Sequence, residues 1–396
     1  MAGEFSNLTI GEEKMGTLRL DVPQRALVDF IRLLSYISHV RGFIYSMSLF
    51  RHHPTRLIRV VLPYLLIFVV AGCYPDHQQS TFDTTGPVAQ SQLNLFYWIF
   101  WAAVFVFVLV EGALLYACLK FRRKPGDPDP EQTHGHTKLE ITWTILPTIL
   151  LVIVAVPTVL TVFDNANSPD PDSMHVTVVA HQWWWEFNYP GEGVKTSNEL
   201  HIPIDEVINL SLESKDVLHS FWVPKIAGKV DMVPGNTNTM WIKGEEIGIF
   251  NGQCAEFCGE SHANMRFRVI VESRADFNAW VVAEREPALV PVEPLAKAGL
   301  DLFEGDAQCW SCHKVEGSSR SKGTKGPNLT HLSSRQHLGA GIAENSQINL
   351  RNWLTNPNDM KPGNIMYRDA AVYNNPDKAL SDSDISALVS YLRSLK

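Results

Sequence analysis

Residues 251–265 read NGQCAEFCGESHANM, which spaces Cys254, Cys258, His262 and Met265 as Cys-x-x-x-Cys-x-x-x-His-x-x-Met with Glu256 between the thiols. Two thiolates, an imidazole and a thioether from one loop form a soft donor set that suits copper better than a hard cation. A second histidine must come from elsewhere, and His219 in VLHSFWVP is the candidate. A mononuclear copper site of this type uses two His, one Cys and a weak axial Met, so one thiol is surplus. Two thiolates bridging two copper ions use the surplus and let the pair share one unpaired electron. Tetrahedral Zn²⁺ on His219, Cys254, Cys258 and His262 is the structural alternative, and it leaves Met265 and Glu256 without a role.

A second constellation lies at Cys309-Trp310-Ser311-Cys312-His313, the C-x-x-C-H signature of covalent haem c attachment. Two thiols form thioethers while the adjacent histidine becomes an axial ligand. A sixth ligand that raises the potential is usually Met. Met360 and Met366, in NPNDMKPGNIMYRD, are the downstream candidates. With Cys73 and Cys118, these two pairs account for all six cysteines, so no disulfide framework is needed.

These sites need elements to hold them outside a membrane. Residues 47–73 carry Arg51, Arg56 and Arg59, then an apolar run to Ala71 and Gly72-Cys73, the pattern of an export signal. Val70-Ala71-Gly72-Cys73 resembles the lipobox of bacterial lipoproteins, in which the cysteine becomes the lipidated first residue. A buried helix or a third membrane anchor is the alternative, though a run this short is brief for a span. We expect translation to begin at Met47, with residues 1–46 an over-extended reading frame or removed. Peptides from residues 1–41 recovered from mature protein by mass spectrometry would refute this.

Residues 93–119 and 141–163 form two apolar stretches long enough to cross hydrocarbon. Lys120, Arg122, Arg123, Lys124 and Lys138 lie between them, while residues 73–92 and 164–194 contain no Lys or Arg. The positive-inside rule puts the hairpin loop in the cytoplasm and both flanks outside, the same side as a lipidated Cys73. Glu111 inside the first span reads as an interior-facing carboxylate paired with a partner subunit.

Beyond Asp164 the pattern changes to short alternating runs, from His175, Glu206 and Asn238, broken at Pro190-Gly191 and Pro234-Gly235. This predicts a β-sandwich or barrel ending near Trp280. A Pro-rich linker comes next, and Ile385, Leu388, Val389 and Leu392 then recur at helical spacing behind a Ser381 or Ser383 cap. The net charge of −8 is uneven: residues 164–286 carry 19 acidic and 9 basic side chains, residues 287–396 carry 11 and 12. The acidic β domain favours a cationic partner by long-range attraction. Nothing resembles the basic, aromatic footprint of nucleic-acid binding.

The β domain resembles the cupredoxins. LHSFWVP, CAEFCGESHANM and the two preceding spans, together covering about residues 93–280, resemble subunit II of haem–copper cytochrome c oxidases. The resemblance implies a dinuclear CuA centre on His219, Cys254, Cys258, His262, Met265 and the backbone carbonyl of Glu256. It implies that the Glu256 side chain faces a Mg²⁺ shared with subunit I, and that Trp183, first of QWWW, is the residue through which electrons reach copper. Glu140, in LEITWTILP, matches the carboxylate at the mouth of the family's K-type proton path. Packing in core and edge positions is the alternative for Trp183, Trp184 and Trp185. Cytochrome c domains fused to this subunit commonly carry Lys-Pro-Gly-x-x-Met-Pro. Lys361-Pro362-Gly363-Asn364-Ile365-Met366 therefore points to Met366, although Tyr367 replaces the proline and keeps Met360 open. Gly326-Pro327-Asn328-Leu329 resembles the segment whose proline supports the proximal histidine.

The resemblance implies a caa3-type arrangement and a multidomain fold. Its parts are a two-helix transmembrane hairpin, an all-β cupredoxin-like Greek-key barrel and an all-α class I cytochrome c domain. The expected segments are 1–46, a signal at 47–72, the lipidated hairpin unit at 73–163, the copper domain at 164–286, a linker at 287–294 and the haem domain at 295–396. Expected partners are subunit I, subunit III, the bacterial inner membrane and a soluble donor such as cytochrome c or a cupredoxin. Oxygen reduction and proton translocation would belong to subunit I. A CuA-containing nitric oxide reductase subunit, or a free-standing copper-binding lipoprotein, are the competing functions. Oxygen against NO turnover separates the first, and purification without a catalytic subunit would favour the second.

Overall fold

The computed structural model describes residues 62–64, 77–129, 131–132 and 134–396. The chain divides into two units, Met1–Tyr74 and Pro75–Lys396, and the second holds both candidate sites. The expected start at Met47, nearly all of the 47–72 signal, and Cys73 lie outside the described residues.

Two long helices open the second unit, α1 (Pro87–Lys120) and α2 (Thr137–Ala166). Both begin a few residues before the apolar runs. Pro87 sits at the first position of α1, where its missing N–H costs nothing. At the start of α2, the His136 side chain accepts from the Leu139 amide. At 34 residues, α1 is about 51 Å long, more than a hydrocarbon core requires. Only Val88 and Ala89 of α1 are buried, and no residue of α2 is. Both helices are long and apolar enough to cross a membrane, and their greasy sides face outward.

The foot of α1 is fastened to the β domain. Thr85 N donates to Lys225 O at 2.7 Å, and Glu245 N donates to Thr85 O at 2.8 Å. A Cβ on Gly86 would sit 2.5 Å from Ile226 O and 2.6 Å from Lys243 O, so only glycine permits this approach.

The β domain is built from β1 (His175–His181), β2 (Trp184–Tyr189), β3 (Val194–Ser197), β4 (Glu199–Pro203), β5 (Ile208–Ser214), β6 (His219–Trp222), β7 (Val230–Met232), β8 (Asn238–Ile242), β9 (Gly248–Cys254) and β10 (Arg266–Glu272). One sheet has the order β3-β2-β1-β5-β8 and the other β4-β10-β9-β6-β7. Most neighbours are antiparallel, but β1–β5 and β4–β10 are parallel, which gives a cupredoxin-like two-sheet architecture. The inward faces bury Trp185, Phe187, Phe221 and Phe267 completely, and the Phe221 and Phe267 rings stack at 4.6 Å. A helix, α3 (Arg274–Arg285), capped by Ser273, closes the domain.

The C-terminal domain is helical: α4 (Pro294–Glu304), α5 (Gln347–Thr355), α6 (Pro357–Met360), α7 (Ile365–Asp369), α8 (Ala371–Asn374) and α9 (Asp382–Ser394). One two-residue ladder, β11 (His337–Leu338) with β12 (Ala343–Glu344), is its sole sheet among the described residues. Ser381 caps α9 in a reciprocal box with Asp384, and the predicted stripe Ile385, Leu388, Val389 and Leu392 is buried. Phe303 of α4 meets Tyr391 of α9 edge-on, 5.3 Å between ring centres, which joins the two ends of the domain.

Candidate metal and haem centres

Register places the copper-type donors. Phe221 of β6 pairs with Cys254, the last residue of β9, so His219 at the head of β6 lies beside that thiol. The loop beyond Cys254 closes where its amide donates to Met265 O at 2.9 Å. Cys254 Sγ is 3.7 Å from His219 Nδ1 and 3.7 Å from Cys258 Sγ. Cys258 Sγ is 3.5 Å from His262 Nδ1 and 3.8 Å from Met265 Sδ. The backbone oxygen of Glu256 lies 3.2 Å from Cys254 Sγ. The other four expected donor groups thus lie around the two cysteine sulfurs, which brings all six together. A tetrahedral zinc site would leave the Met265 thioether and the Glu256 carbonyl idle. This soft, six-group set fits the copper pair.

Asp216, which sequence reasoning missed, orients the set. A carboxylate only accepts, so the 2.8 Å contact between His219 Nε2 and Asp216 Oδ1 puts the ring proton on Nε2 and leaves Nδ1 toward the thiols. Burial opposes charge on His219, but the bonds to Asp216 and Cys254 outweigh it and raise its pKa above 6.5. A hydrogen bond from the Cys258 thiol draws Cys254 down to about 3, and the same bond together with burial pushes Cys258 up. Metal binding requires both thiols as thiolates, so it would be coupled to proton release. The signal for Asp216 was its place three residues before a ligand-type histidine.

Trp183 is buried, and its Nε1 donates to Cys258 O at 3.0 Å, beside Gln182 Nε2 at 2.8 Å. Of its two neighbours, Trp185 lies wholly in the core and Trp184 stacks on His181 at 4.1 Å. The Glu256 side chain is half-buried. Glu140 stands in the first turn of α2, well away in sequence and element from the copper-type loop, where its carboxylate accepts from the His136 amide at 3.1 Å.

In the helical domain Cys309 begins a 3-10 turn, Cys309–Ser311, with Cys312 and His313 directly after it. Burial pushes the Cys309 thiol up to about 12. His313 Nδ1 donates to Pro327 O at 2.8 Å, which frees Nε2 for a metal. Desolvation lowers the His313 pKa and keeps the ring neutral, as ligation requires. Two thiols and one free imidazole nitrogen on consecutive turns fit haem c. A Cβ on Gly326 would lie 2.5 Å from His313 Cε1, so glycine lets this segment pass under the ring. Met366 packs against the buried core of the domain, as Cys309, Trp310 and Leu329 each do, and Met360 is not in that group. Asn364 holds the first turn of α7 by accepting from Met366 N at 2.8 Å.

Sequence reasoning also missed the contacts between the β and helical domains. Lys361 Nζ donates to Trp183 O at 2.5 Å and Gly339 O at 2.8 Å. Burial pulls the Lys361 pKa down to about 7, against the opposing pull of Cys258. Glu199 Oε1 accepts from the amides of Gln336 at 2.8 Å and His337 at 3.1 Å. Such pairs lie more than a hundred residues apart, and no local pattern announces them.

Three family descriptions match the chain: cytochrome c oxidase subunit II transmembrane domain at residues 75–160, its periplasmic domain at 191–273, and cytochrome c at 296–396. The chain is 40% identical over 341 residues to cytochrome c oxidase subunit 2 of Alkalihalophilus pseudofirmus, covering 85% of this chain and 96% of that protein. It is 38% identical over 351 residues to the same subunit of Bacillus sp. strain PS3, covering 84% and 95%. A crystal structure of the periplasmic domain of subunit II of Bradyrhizobium japonicum cytochrome oxidase is 29% identical, with TM-score 0.28 over 29% of this chain and 96% of that one. The two domain families imply copper and haem c, and the subunit family implies association with subunit I. The chain belongs to the cytochrome c oxidase subunit II family, with two membrane-spanning helices, a periplasmic cupredoxin-like domain and a cytochrome c domain fused at its C-terminal end.

Proposed function

We propose that this chain is the electron-transfer subunit of a caa3-type oxidase that reduces oxygen to water and translocates protons. The convergence of four further donor groups on the Cys254 and Cys258 sulfurs carries the reading. When bound, two coppers and haem c would supply one-electron carriers between a soluble donor and haem a of subunit I.

The chain's own residues do the positioning. Cys254, Cys258, His219, His262, Met265 and the Glu256 carbonyl would hold the coppers. Asp216 fixes the His219 tautomer, and the Trp183–Cys258 bond ties an aromatic ring to the copper loop. Cys309 and Cys312 would carry the haem, and His313 and Met366 would hold its iron; Met360 is the weaker candidate because it lies outside the group packed against the domain core. The Glu256 carboxylate would face a Mg²⁺ shared with subunit I, and Glu140 would stand at the mouth of a proton path on the cytoplasmic side. Cys73 would be lipidated, subunit III would complete the complex, and the bacterial inner membrane would be its site. The fused haem domain supports this reading, since a tether raises the effective concentration of the docking partner.

The purified complex tests the proposal. It should consume oxygen with a reduced soluble cytochrome or cupredoxin and acidify the outside of proteoliposomes. Turnover of NO without oxygen uptake would overturn it, as would isolation of this chain alone from intact membranes.

A further inference from the structure

The face of the copper domain that carries Trp183 is covered by the chain's own helical domain. Lys361 is almost fully buried, and its ammonium meets only two carbonyls, Trp183 O and Gly339 O. Among the described residues it has no carboxylate partner within ion-pair distance. A buried ammonium without a carboxylate partner costs free energy, so a structural role would be met better by an apolar side chain. Five further hydrogen bonds join the two domains. Ser261 Oγ donates to Pro362 O, Arg266 N donates to Ala340 O at 3.1 Å, Arg268 Nη2 donates to Gly341 O at 3.1 Å, and Glu199 receives two amides. Lys361 lies five residues before Met366, and Trp183 is bonded directly to Cys258. One short series of covalent and hydrogen bonds therefore joins the candidate haem ligand to a candidate copper ligand.

Resting on the functional reading above, we propose that Lys361 is a positioning residue that clamps the haem domain onto Trp183. In this arrangement the chain's own domain occupies the Trp183 face and closes it to a soluble donor, which must instead dock on the haem domain. Lys361 makes and breaks no bond in this role; it would hold only the distance and orientation between the two candidate centres.

The test uses the full chain in its oxidase complex, with Lys361→Leu and Lys361→Gln. Hydrogen–deuterium exchange is read on peptides covering residues 181–185 and 336–341, in metal-loaded and metal-free chain alike. Lys361→Leu should raise exchange there and leave residues 208–214 unchanged. It should slow haem c to copper transfer about tenfold, the equilibrium loss expected for one charge-assisted bond. It should also allow a soluble donor to reduce copper directly, which the parent does not. Lys361→Gln keeps N–H donors without charge and should fall between the two. The proposal is overturned if both variants match the parent in exchange and transfer. It is equally overturned if Lys361→Gln matches the parent while Lys361→Leu loses protection across the whole haem domain, because packing alone would then explain the residue. A preparation without a c-type or copper band would remove the functional reading instead, while the exchange comparison on metal-free chain would still judge the clamp.

Discussion

His219 donates from Nε2 to Asp216 Oδ1 at 2.8 Å, and this bond decides which ring nitrogen faces the two thiols. Asp216 also accepts from the Gln182 and Val217 amides at 2.7 Å each, so its own position is fixed. Asp216→Ala should therefore weaken copper retention about 10- to 100-fold, the range for losing such an outer partner. Chelator challenge followed at the near-infrared copper band measures it, and retention equal to the parent would show that the tautomer is set otherwise.

Met366, like Cys309 and Trp310, packs against the core of the helical domain, and Met360 is not in that group. Met366→Leu should abolish the weak sulfur-to-iron band of the oxidised haem and lower its potential, while Met360→Leu should leave both near the parent. The reverse pattern would reassign the ligand.

Gly326 leaves no room for a side chain beneath His313, since a Cβ there would come 2.5 Å from the ring. Gly326→Ala should destabilise the haem domain by about 1–3 kcal/mol, as overpacking does, because the ring is also held by Pro327. Thermal unfolding followed at the c-type band reads this directly. An unchanged midpoint would mean that the segment can shift freely.

His181 is half-buried and stacked on Trp184, and its inaccessible Nε2 has no hydrogen-bond partner among the described residues. Desolvation lowers its pKa below 6.5, with Glu186 and Asp216 opposing. The unfolded chain therefore binds a proton that the folded chain refuses. The stability at stake is full above pH 6.5 and is lost as pH falls from 6.5 toward the depressed value. His181→Phe, which keeps the ring stack, should flatten this acid limb of the unfolding midpoint. A parallel pH profile in both proteins would assign the limb to other groups.

The sequence made the chemistry legible because its ligands cluster locally. Cys254 to Met265 fall within one loop, and Cys309 to His313 within one turn, so spacing alone exposes them. His219 was found 35 residues earlier only because its histidine type fits the missing donor. The length of the uncharged apolar runs likewise exposed α1 and α2, and helical periodicity exposed the buried stripe of α9. What stayed hidden depends on pairing across the fold. Strand register sets Cys254 beside His219, and Lys361 reaches Trp183 across 178 positions. The early start of α1 at Pro87 was hidden for the same reason, since its first turn is held by Lys225 and Ile226 of the β domain. Asp216 lay in plain view but carries no motif, and only the 2.8 Å bond gives it a role.

The central proposal is that one chain would carry both a copper pair, held by Cys254 and Cys258, and a covalent haem on Cys309 and Cys312. The absorption spectrum of the purified chain, taken with its metal content, tests this most directly. The expected result is a c-type α-band in the visible, a copper band in the near infrared, and two coppers with one haem per chain. Loss of either band, or zinc in place of copper, would contradict it.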